Sequence, residues 1–200
     1  SGSSPSSSQA AATAGRNGIA LSSSIAPSCD CVAISFKVAA RLARDAGRKV
    51  AVTLSDPFCV ERHRAAFVDL VDHHVDVVVA NRDELCSLYE TDDINEAHRI
   101  VADRCPMAVV THGPDGSFVL TGDQTVRVAA EPVANVVDTT GAGDQYAAGF
   151  FYGLATGLDL ETCGRLGSIA AAEVISHLGA RPQVSLAELA APALAGRNQG

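Results

Sequence analysis

The segment Asp138–Asp144 holds the residues of this chain that are best suited to chemistry, in the order Asp-Thr-Thr-Gly-Ala-Gly-Asp. A β-branched run, Val133–Val137, precedes it, and small and aromatic residues typical of a helix follow from Gln145 to Thr156. A strand, a glycine turn and a helix N-terminus in succession direct several backbone N–H groups to one place. The helix dipole adds roughly half a positive charge there. The segment therefore predicts a phosphate-binding turn.

Asp144 is the residue of this turn that needs a separate explanation. A carboxylate beside a bound phosphate repels it, so its presence suggests a task such as accepting a proton from an attacking hydroxyl group. The alternative is that Asp144 belongs to an ordinary helix start and that the glycines form an ordinary turn. Local chemistry leaves both interpretations open.

Two further segments place polar residues where predicted strands end. Asn81 and Glu84 are one helical turn apart, so both side chains can lie on one face, and they can form a capping box. In Thr111–Gly116 a strand meets a loop whose glycines permit close approach to a nucleotide, although a simple turn has the same composition.

The elements that must position these segments alternate between strand and helix, which predicts an α/β fold with a mostly parallel sheet and helices on both faces. Ligands of such sheets collect at the carboxyl ends of the strands. The predicted strands are 49–54, 75–79, 107–111, 117–121, 124–129 and 133–137. The predicted helices are 36–46, 57–71, 82–90, 93–105, 143–157, 160–178 and 185–192.

Composition narrows the class of protein. A net charge of −8 and the lack of Trp disfavour nucleic acid as a partner. No apolar run approaches the ~20 residues that cross a bilayer, so no membrane is expected. Six cysteines without a Cys-x-x-Cys pair favour free thiols and a cytoplasmic location. Neither a P-loop motif nor a dinucleotide-binding glycine motif is present.

The N-terminal segment 1–32 is rich in Ser, Ala and Gly. Such a segment has too little apolar surface to offset the entropy of ordering it, so we expect it to be disordered. The remaining residues, 33–200, are expected to form one domain.

The Gly141–Asp144 turn and the small-residue helix after it resemble the signature of the ribokinase and adenosine kinase (PfkB) family of carbohydrate and nucleoside kinases. Asn81–Glu84 matches the family's Asn-x-x-Glu motif, and Thr111–Gly116 matches its Thr-x-Gly-x-x-Gly nucleotide loop. Gly179–Pro182 resembles the segment that helps to hold a monovalent cation. Ser55–Val60 favours the bacterial adenosine-kinase-like branch. The resemblance implies a ribokinase-like fold.

It also implies ATP-dependent phosphoryl transfer to an alcohol group of a small-molecule sugar or nucleoside, with ATP, Mg²⁺ and K⁺ as cofactors. Asp144 would be the general base, and the backbone amides of Gly141, Ala142 and Gly143 would form an anion hole. An adenine pocket is expected near Gly167 and Ala170. The implied nucleotide-binding residues are Asn81, Thr111, Gly113 and Gly116. The implied metal-site residues are Glu84 for Mg²⁺ through water, and Asp138 and Thr140, with backbone oxygens near Val174, His177 and Gly179, for the monovalent cation.

The resemblance stops short of the family's N-terminal portion. The early strands, the glycine-pair sugar site and the small β lid are not identifiable before Phe36, so the fold is expected to lack them. Two hypotheses remain open at this point. The chain is either part of a truncated or split kinase, or a non-catalytic nucleotide-binding or interaction module with the same fold.

Overall fold

A single six-stranded sheet organises the protein. The computed structural model describes residues 19–22, 30–54, 56–122 and 124–195. The strands lie side by side in chain order, from β1 to β6. Their bounds are β1 Ile19–Ser22, β2 Lys49–Thr53, β3 Val77–Asn81, β4 Met107–Thr111, β5 Ser117–Thr121 and β6 Gln124–Val128.

Strands β1 to β4 are parallel, whereas β5 and β6 are each antiparallel to the strand before them. The predicted hairpin is present, with Thr121 opposite Gln124 beside its turn. Because β6 again runs in the direction of β4, the carboxyl ends of five strands lie at one edge of the sheet. This confirms the predicted mostly parallel sheet and fixes the edge where ligand-binding residues should collect.

Seven helices are present in the described part of the chain. They cover both faces of the sheet, as predicted, and a 3₁₀ turn occupies Gly113–Asp115. None of the described helices is long and apolar enough to cross a membrane. The helices are α1 Asp30–Asp45, α2 Pro57–His73, α3 Arg82–Tyr89, α4 Ile94–Arg104, α5 Ala142–Ala155, α6 Leu160–Ile175 and α7 Leu186–Ala195.

Alternation along the strands builds two hydrophobic cores. In β3, Val78 and Ala80 belong to the core beneath α1 to α4, and Val77 and Val79 belong to the core beneath α5 and α6. Successive side chains of a strand point to opposite faces, so a continuous apolar run such as β3 fills both cores. That pattern is typical of a parallel strand buried on both sides.

Strand β1 corrects the expectation for the N-terminal segment. The structure places Ile19–Ser22 in a parallel ladder with β2, in which Ile19 is opposite Lys49. Helix α1 begins at Asp30, before the predicted start at Phe36. The prediction of disorder to residue 32 is therefore wrong at these positions, because the edge of β2 supplies backbone hydrogen bonds that local composition cannot reveal. Residues 1–18 and 23–29 lie outside the described residues.

The predicted strand Val133–Val137 is also wrong. These residues form no strand, and Val136 and Val137 are exposed. The amide of Val137 donates instead to the carbonyl of Ile175 at the end of α6, at 2.8 Å. A β-branched run favours an extended backbone, but a strand also needs a neighbouring ladder, and here the neighbour is a helix end.

Glycines allow α5 and α6 to pack backbone against backbone. A Cβ on Gly149 would lie 2.5 Å from the carbonyl oxygen of Leu166, and one on Gly167 would lie 2.7 Å from that of Tyr146. Both distances are shorter than van der Waals contact, so these positions accept no larger residue without displacing a helix.

We predict that Gly149→Ala lowers the free energy of unfolding by about 1–3 kcal/mol, the usual cost of overpacking a core. Gly143→Ala is the matched control in the same helix, since a Cβ there meets nothing within 4 Å. The control should be neutral or stabilised by up to about 1 kcal/mol, the difference between Gly and Ala in a helix. Urea unfolding of both variants measures the difference, and equal stabilities would contradict the tight helix contact.

Candidate active site

Two of the predicted site residues are neighbours across the sheet. Asn81 is the last residue of β3, Thr111 is the last residue of β4, and the two are paired in the parallel ladder. Both residues are half-buried at the carboxyl edge of the sheet. The expected convergence of these two motifs is therefore present in the structure.

Asn81 and Glu84 form a capping box at the start of α3. The Oδ1 of Asn81 accepts the amide of Glu84 at 2.8 Å, and the Oε2 of Glu84 accepts the amide of Asn81 at 2.8 Å. The side-chain amide of Asn81 also donates to Oε1 of Glu84 at 2.8 Å. The capping interpretation of this motif is thus correct as geometry, and it holds the Glu84 carboxylate rigid.

The surroundings of Glu84 are acidic. Glu84 is buried, and this burial raises the pKa of its carboxyl group. The carboxylates of Asp56, Asp83 and Asp144 raise that pKa further, whereas the hydrogen bond from the Asn81 amide lowers it. Asp144, in the first turn of α5, is among these carboxylates although it is distant from Glu84 in sequence.

No three His, Cys, Asp or Glu side chains in the described ranges are grouped closely enough to hold a metal ion.

The turn before α5 requires glycine at position 141. Gly141 is the N-cap of α5 and has a left-handed backbone with φ of 83°. A Cβ at this position would also lie 2.6 Å from the Cβ of Ala180. Both the conformation and the contact exclude a side chain, so Gly141 brings the loop that contains Ala180 against the turn.

The N-terminus of α5 is open. Gly141 provides no side-chain cap, and the first hydrogen bond of the helix runs from the amide of Gln145 to the carbonyl of Gly141, at 2.9 Å. Gly143 and Asp144 are exposed, and a Cβ on Gly143 would meet nothing within 4 Å. Amides of a first turn lack intrahelical partners, so this end of α5 can receive an anion. The amide of Ala142 donates to the carbonyl of Thr139 at 3.2 Å, so Ala142 would have to exchange this bond to contribute.

Asp138 ties the turn to the segment after α6. Its Oδ1 accepts the amide of Thr140 at 2.9 Å, and its Oδ2 accepts the amide of Gly179 at 3.3 Å. The Thr140 side-chain hydrogen bond is the main cause that lowers the pKa of Asp138, and these two amides lower it further. Of the five predicted cation-site residues, Asp138, Thr140 and Gly179 are thus in direct contact.

The other two predicted cation-site residues belong to the end of α6 and to the segment after it. The side chain of Val174 is fully buried. The Nε2 of His177 lies 3.1 Å from Oε1 of Glu173. Neither side chain contacts Asp138 through a hydrogen bond that the structure records, so any contribution to a cation site would come from backbone carbonyls.

The Thr111–Gly116 loop contains two glycines with different structural demands. Gly113 has φ of 56° and open space where a Cβ would lie, whereas a Cβ on Gly116 would lie 2.1 Å from the carbonyl oxygen of Val128. Gly116 is therefore required by the close approach of β6. Gly113 leaves the surface of the loop open.

A cavity of about 460 Å³ adjoins this loop at the carboxyl end of β6. Gly167 and Ala170, near which the sequence placed an adenine pocket, are buried in the helix layer and do not line this cavity. No sequence motif marked the wall that β6 contributes. The cavity is lined by Pro114, Asp115, Arg127, Ala129 and Ala130.

A histidine pair, which the sequence did not indicate, anchors the same loop to α4. The Nε2 atoms of His98 and His112 lie 3.3 Å apart, and both rings pack against Phe118. Burial lowers the pKa of His98 to about 4, with a further contribution from His112. Burial also lowers the pKa of His112; Arg82 and Arg127 act in the same direction, and Asp115 opposes them.

Comparison with known proteins shows the family of this chain. The sequence model of the pfkB family carbohydrate kinases matches residues 7–186. This chain belongs to the pfkB family of carbohydrate kinases. The match begins well before Phe36, so the N-terminal segment also contributes to the likeness.

Individual relatives of this pfkB chain are kinases of sugars and of adenosine. A probable sugar kinase from Rhizobium etli is 47% identical with a TM-score of 0.78, over 80% of this chain and 48% of its own. An adenosine kinase from Sinorhizobium meliloti is 46% identical with a TM-score of 0.76, over 84% of this chain and 50% of its own. An uncharacterized sugar kinase from Archaeoglobus fulgidus is 42% identical over 52% of this chain and 42% of its own length. The chain thus spans half or less of each of these relatives.

The pair of His98 and His112 predicts that this pfkB chain loses stability as the pH falls. An unfolded histidine has a pKa of about 6.5, and the folded pKa of His98 is about 4. The unfolded state therefore binds the proton more tightly, and stability should fall as the pH drops from about 6.5 to about 4.

We predict that His98→Leu loses less thermal stability between pH 7.5 and pH 5 than the unmodified chain does. His73→Gln, which changes an exposed histidine, should retain the original acid sensitivity. Melting temperatures across this pH range measure the effect, and superimposable profiles for His98→Leu and the unmodified chain would contradict it.

Proposed function

We propose that this chain carries the ATP and phosphate site of a kinase that transfers a phosphoryl group to an alcohol of a sugar or nucleoside. The main support for this proposal is the open N-terminus of α5. Gly141 begins this helix without a side-chain cap, and Asp144 lies in its first turn. The kinases of this family use ATP. The open helix end supports an anion site and a base within one helical turn.

The proposed chemistry at α5 divides between backbone and side chain. The amides of Gly141, Ala142 and Gly143 stabilise the negative charge of the transferring phosphoryl group, for which such preorganised donors are effective. Asp144 accepts the proton of the attacking hydroxyl group. Its exposure in the first turn of α5 leaves it accessible to an acceptor.

Glu84 would act on Mg²⁺ through water. Each of its carboxylate oxygens already accepts one hydrogen bond from Asn81, and a carboxylate oxygen has a second acceptor site for a metal-bound water. The nearby carboxylates of Asp56, Asp83 and Asp144 favour a cation at this place. Mg²⁺ would supply charge neutralisation of the phosphates when it is bound.

The nucleotide would lie along the carboxyl edge of the sheet, from Asn81 and Thr111 to the loop that contains Gly113 and Gly116. The cavity beside this loop supports that course. K⁺ is proposed at the contact between the α5 turn and the segment after α6. Its proposed ligands come from Asp138, Thr140, Val174, His177 and Gly179.

The acceptor stays defined only as a sugar or nucleoside. The named relatives include both a sugar kinase and an adenosine kinase, and the chain spans half or less of their length. Residues 1–200 alone are expected to show no turnover of adenosine or ribose. A chimera that joins the unmatched half of the Sinorhizobium meliloti adenosine kinase to this chain provides a protein in which catalysis can be measured.

In this chimera, we predict that Asp144→Asn lowers kcat with adenosine by about 10²–10⁴-fold, the usual effect of removing a general base. The KM for ATP should change by less than about threefold, since the amides that bind phosphate remain. Asp103→Asn, at an exposed position of α4, is the matched control and should retain full activity.

A loss of less than about fivefold in Asp144→Asn would contradict the role of this residue. A chimera that folds and binds Mg·ATP but phosphorylates neither adenosine nor ribose would favour the non-catalytic alternative.

We also predict that Glu84→Gln in the chimera raises the Mg²⁺ concentration for half-maximal activity by about 10–100-fold, as is usual when a group that orients a metal shell is changed. Glu61→Gln, at an exposed position of α2, should leave the titration unchanged. A lower melting temperature with an unaltered Mg²⁺ titration would show that Glu84 only caps α3.

A further inference from the structure

Glu173 is a buried carboxylate that the proposed machinery does not use. It lies in the last turn of α6, and its side chain is 5% exposed. Removing a carboxylate from water is costly unless hydrogen bonds compensate. A negative charge at the C-terminal end of a helix is also disfavoured by the helix dipole. The stability of α6 therefore does not explain a glutamate at this position.

The contacts of Glu173 are with the segment that follows α6. Its Oε1 accepts the backbone amide of Gln183 at 2.8 Å and that of Val184 at 3.3 Å. The Nε2 of His177 lies 3.1 Å from the same oxygen. One carboxylate oxygen thus joins the beginning and the end of the loop 177–184.

The two ends of this loop have no buried side chains to hold them. None of the residues from 176 to 192 is buried. Its large apolar side chains, Leu178 and Val184, are 76% and 55% exposed. A segment without buried side chains gains little from hydrophobic packing, so hydrogen bonds to Glu173 are the principal restraint on its two ends.

The middle of the loop packs against the Gly141–Asp144 turn. The amide of Gly179 donates to Asp138 at 3.3 Å, and the carbonyl of Ala180 accepts the Gln145 side chain at 3.3 Å. The Cβ of Ala180 occupies the space that any side chain at Gly141 would need. The loop is therefore in direct contact with the turn at Gly141, so a displacement of the loop would be transmitted to that turn.

We propose that Glu173 is a positioning residue that fixes the loop 177–184 and, through it, the Gly141–Asp144 turn. The consequence of this inference for catalysis rests on the proposed function. The contacts from Glu173 through the loop to the turn rest on the geometry alone. Breaking the contacts to Glu173 should loosen the loop first and the turn second, while the rest of the sheet stays intact.

The test uses the chain of 200 residues and compares it with Glu173→Gln by amide hydrogen exchange, resolved residue by residue with NMR. The amides of Gln183 and Val184 should exchange about tenfold faster, as expected when a hydrogen bond to a charged group is weakened. The amides of Gly179 and Gln145 should exchange at least about threefold faster, and those of β3 and β4 should not change.

Two controls separate positioning from general loss of stability. Val101→Ala removes apolar volume from the fully buried core beneath α4 and should lower the melting temperature without selective exchange at the turn. Glu161→Gln changes an exposed glutamate in the first turn of α6 and should affect neither segment. If Glu173→Gln does not fold, His177→Ala removes one partner of Oε1 and should give a smaller increase at the same amides.

A second measurement is the dissociation constant of Mg·ADP. If the proposed function holds, Glu173→Gln should weaken binding by about threefold to tenfold. Faster exchange at Gly179 and Gln145 without any Mg·ADP binding by the unmodified chain would support positioning by Glu173 and count against the nucleotide site. Faster exchange confined to Gln183 and Val184, or none, in the folded variants would overturn the proposal.

Discussion

The close contact between α5 and α6 determines where the N-terminus of α5 points. Gly149 and Gly167 let the two helix backbones approach to distances that no side chain would permit. Phe150 is fully buried and anchors α5 in the hydrophobic core beneath α5 and α6. The direction of the N-terminal end of α5 is thus set by packing well away from that end, and the turn at Gly141 needs no strand before it.

Two buried glutamates support the site in opposite electrostatic settings. Glu84 lies in the first turn of α3, where the dipole and the Asn81 amide favour its charge, while burial and three neighbouring carboxylates oppose it. Glu173 lies at the end of α6, where the dipole is unfavourable. Loop amides donate to its Oε1, whereas its buried Oε2 has no hydrogen-bond partner among the described residues. In both cases backbone N–H groups donate to the carboxylate and hold it in place.

The sheet gives this arrangement its rigidity. The ladder between β3 and β4 aligns Asn81 with Thr111, and the approach of β6 to Gly116 closes the loop beside the cavity. In the described part of the chain, β1 and β6 are the outermost strands. The chain spans half or less of the length of the named relatives.

The sequence by itself determined those features that depend on neighbours within a few residues. The spacing of Asn81 and Glu84 was enough to predict the capping box. The apolar run of β3 was enough to predict a buried strand, and the glycines around Ala142 were enough to predict the turn. Only the tertiary structure decided that Ile19–Ser22 joins the sheet and that Val133–Val137 does not. It alone paired His98 with His112 and Glu173 with Gln183. A strand needs a neighbouring strand for its backbone hydrogen bonds, and a buried polar group needs a hydrogen-bond partner. Contacts between residues distant in sequence therefore decided these features.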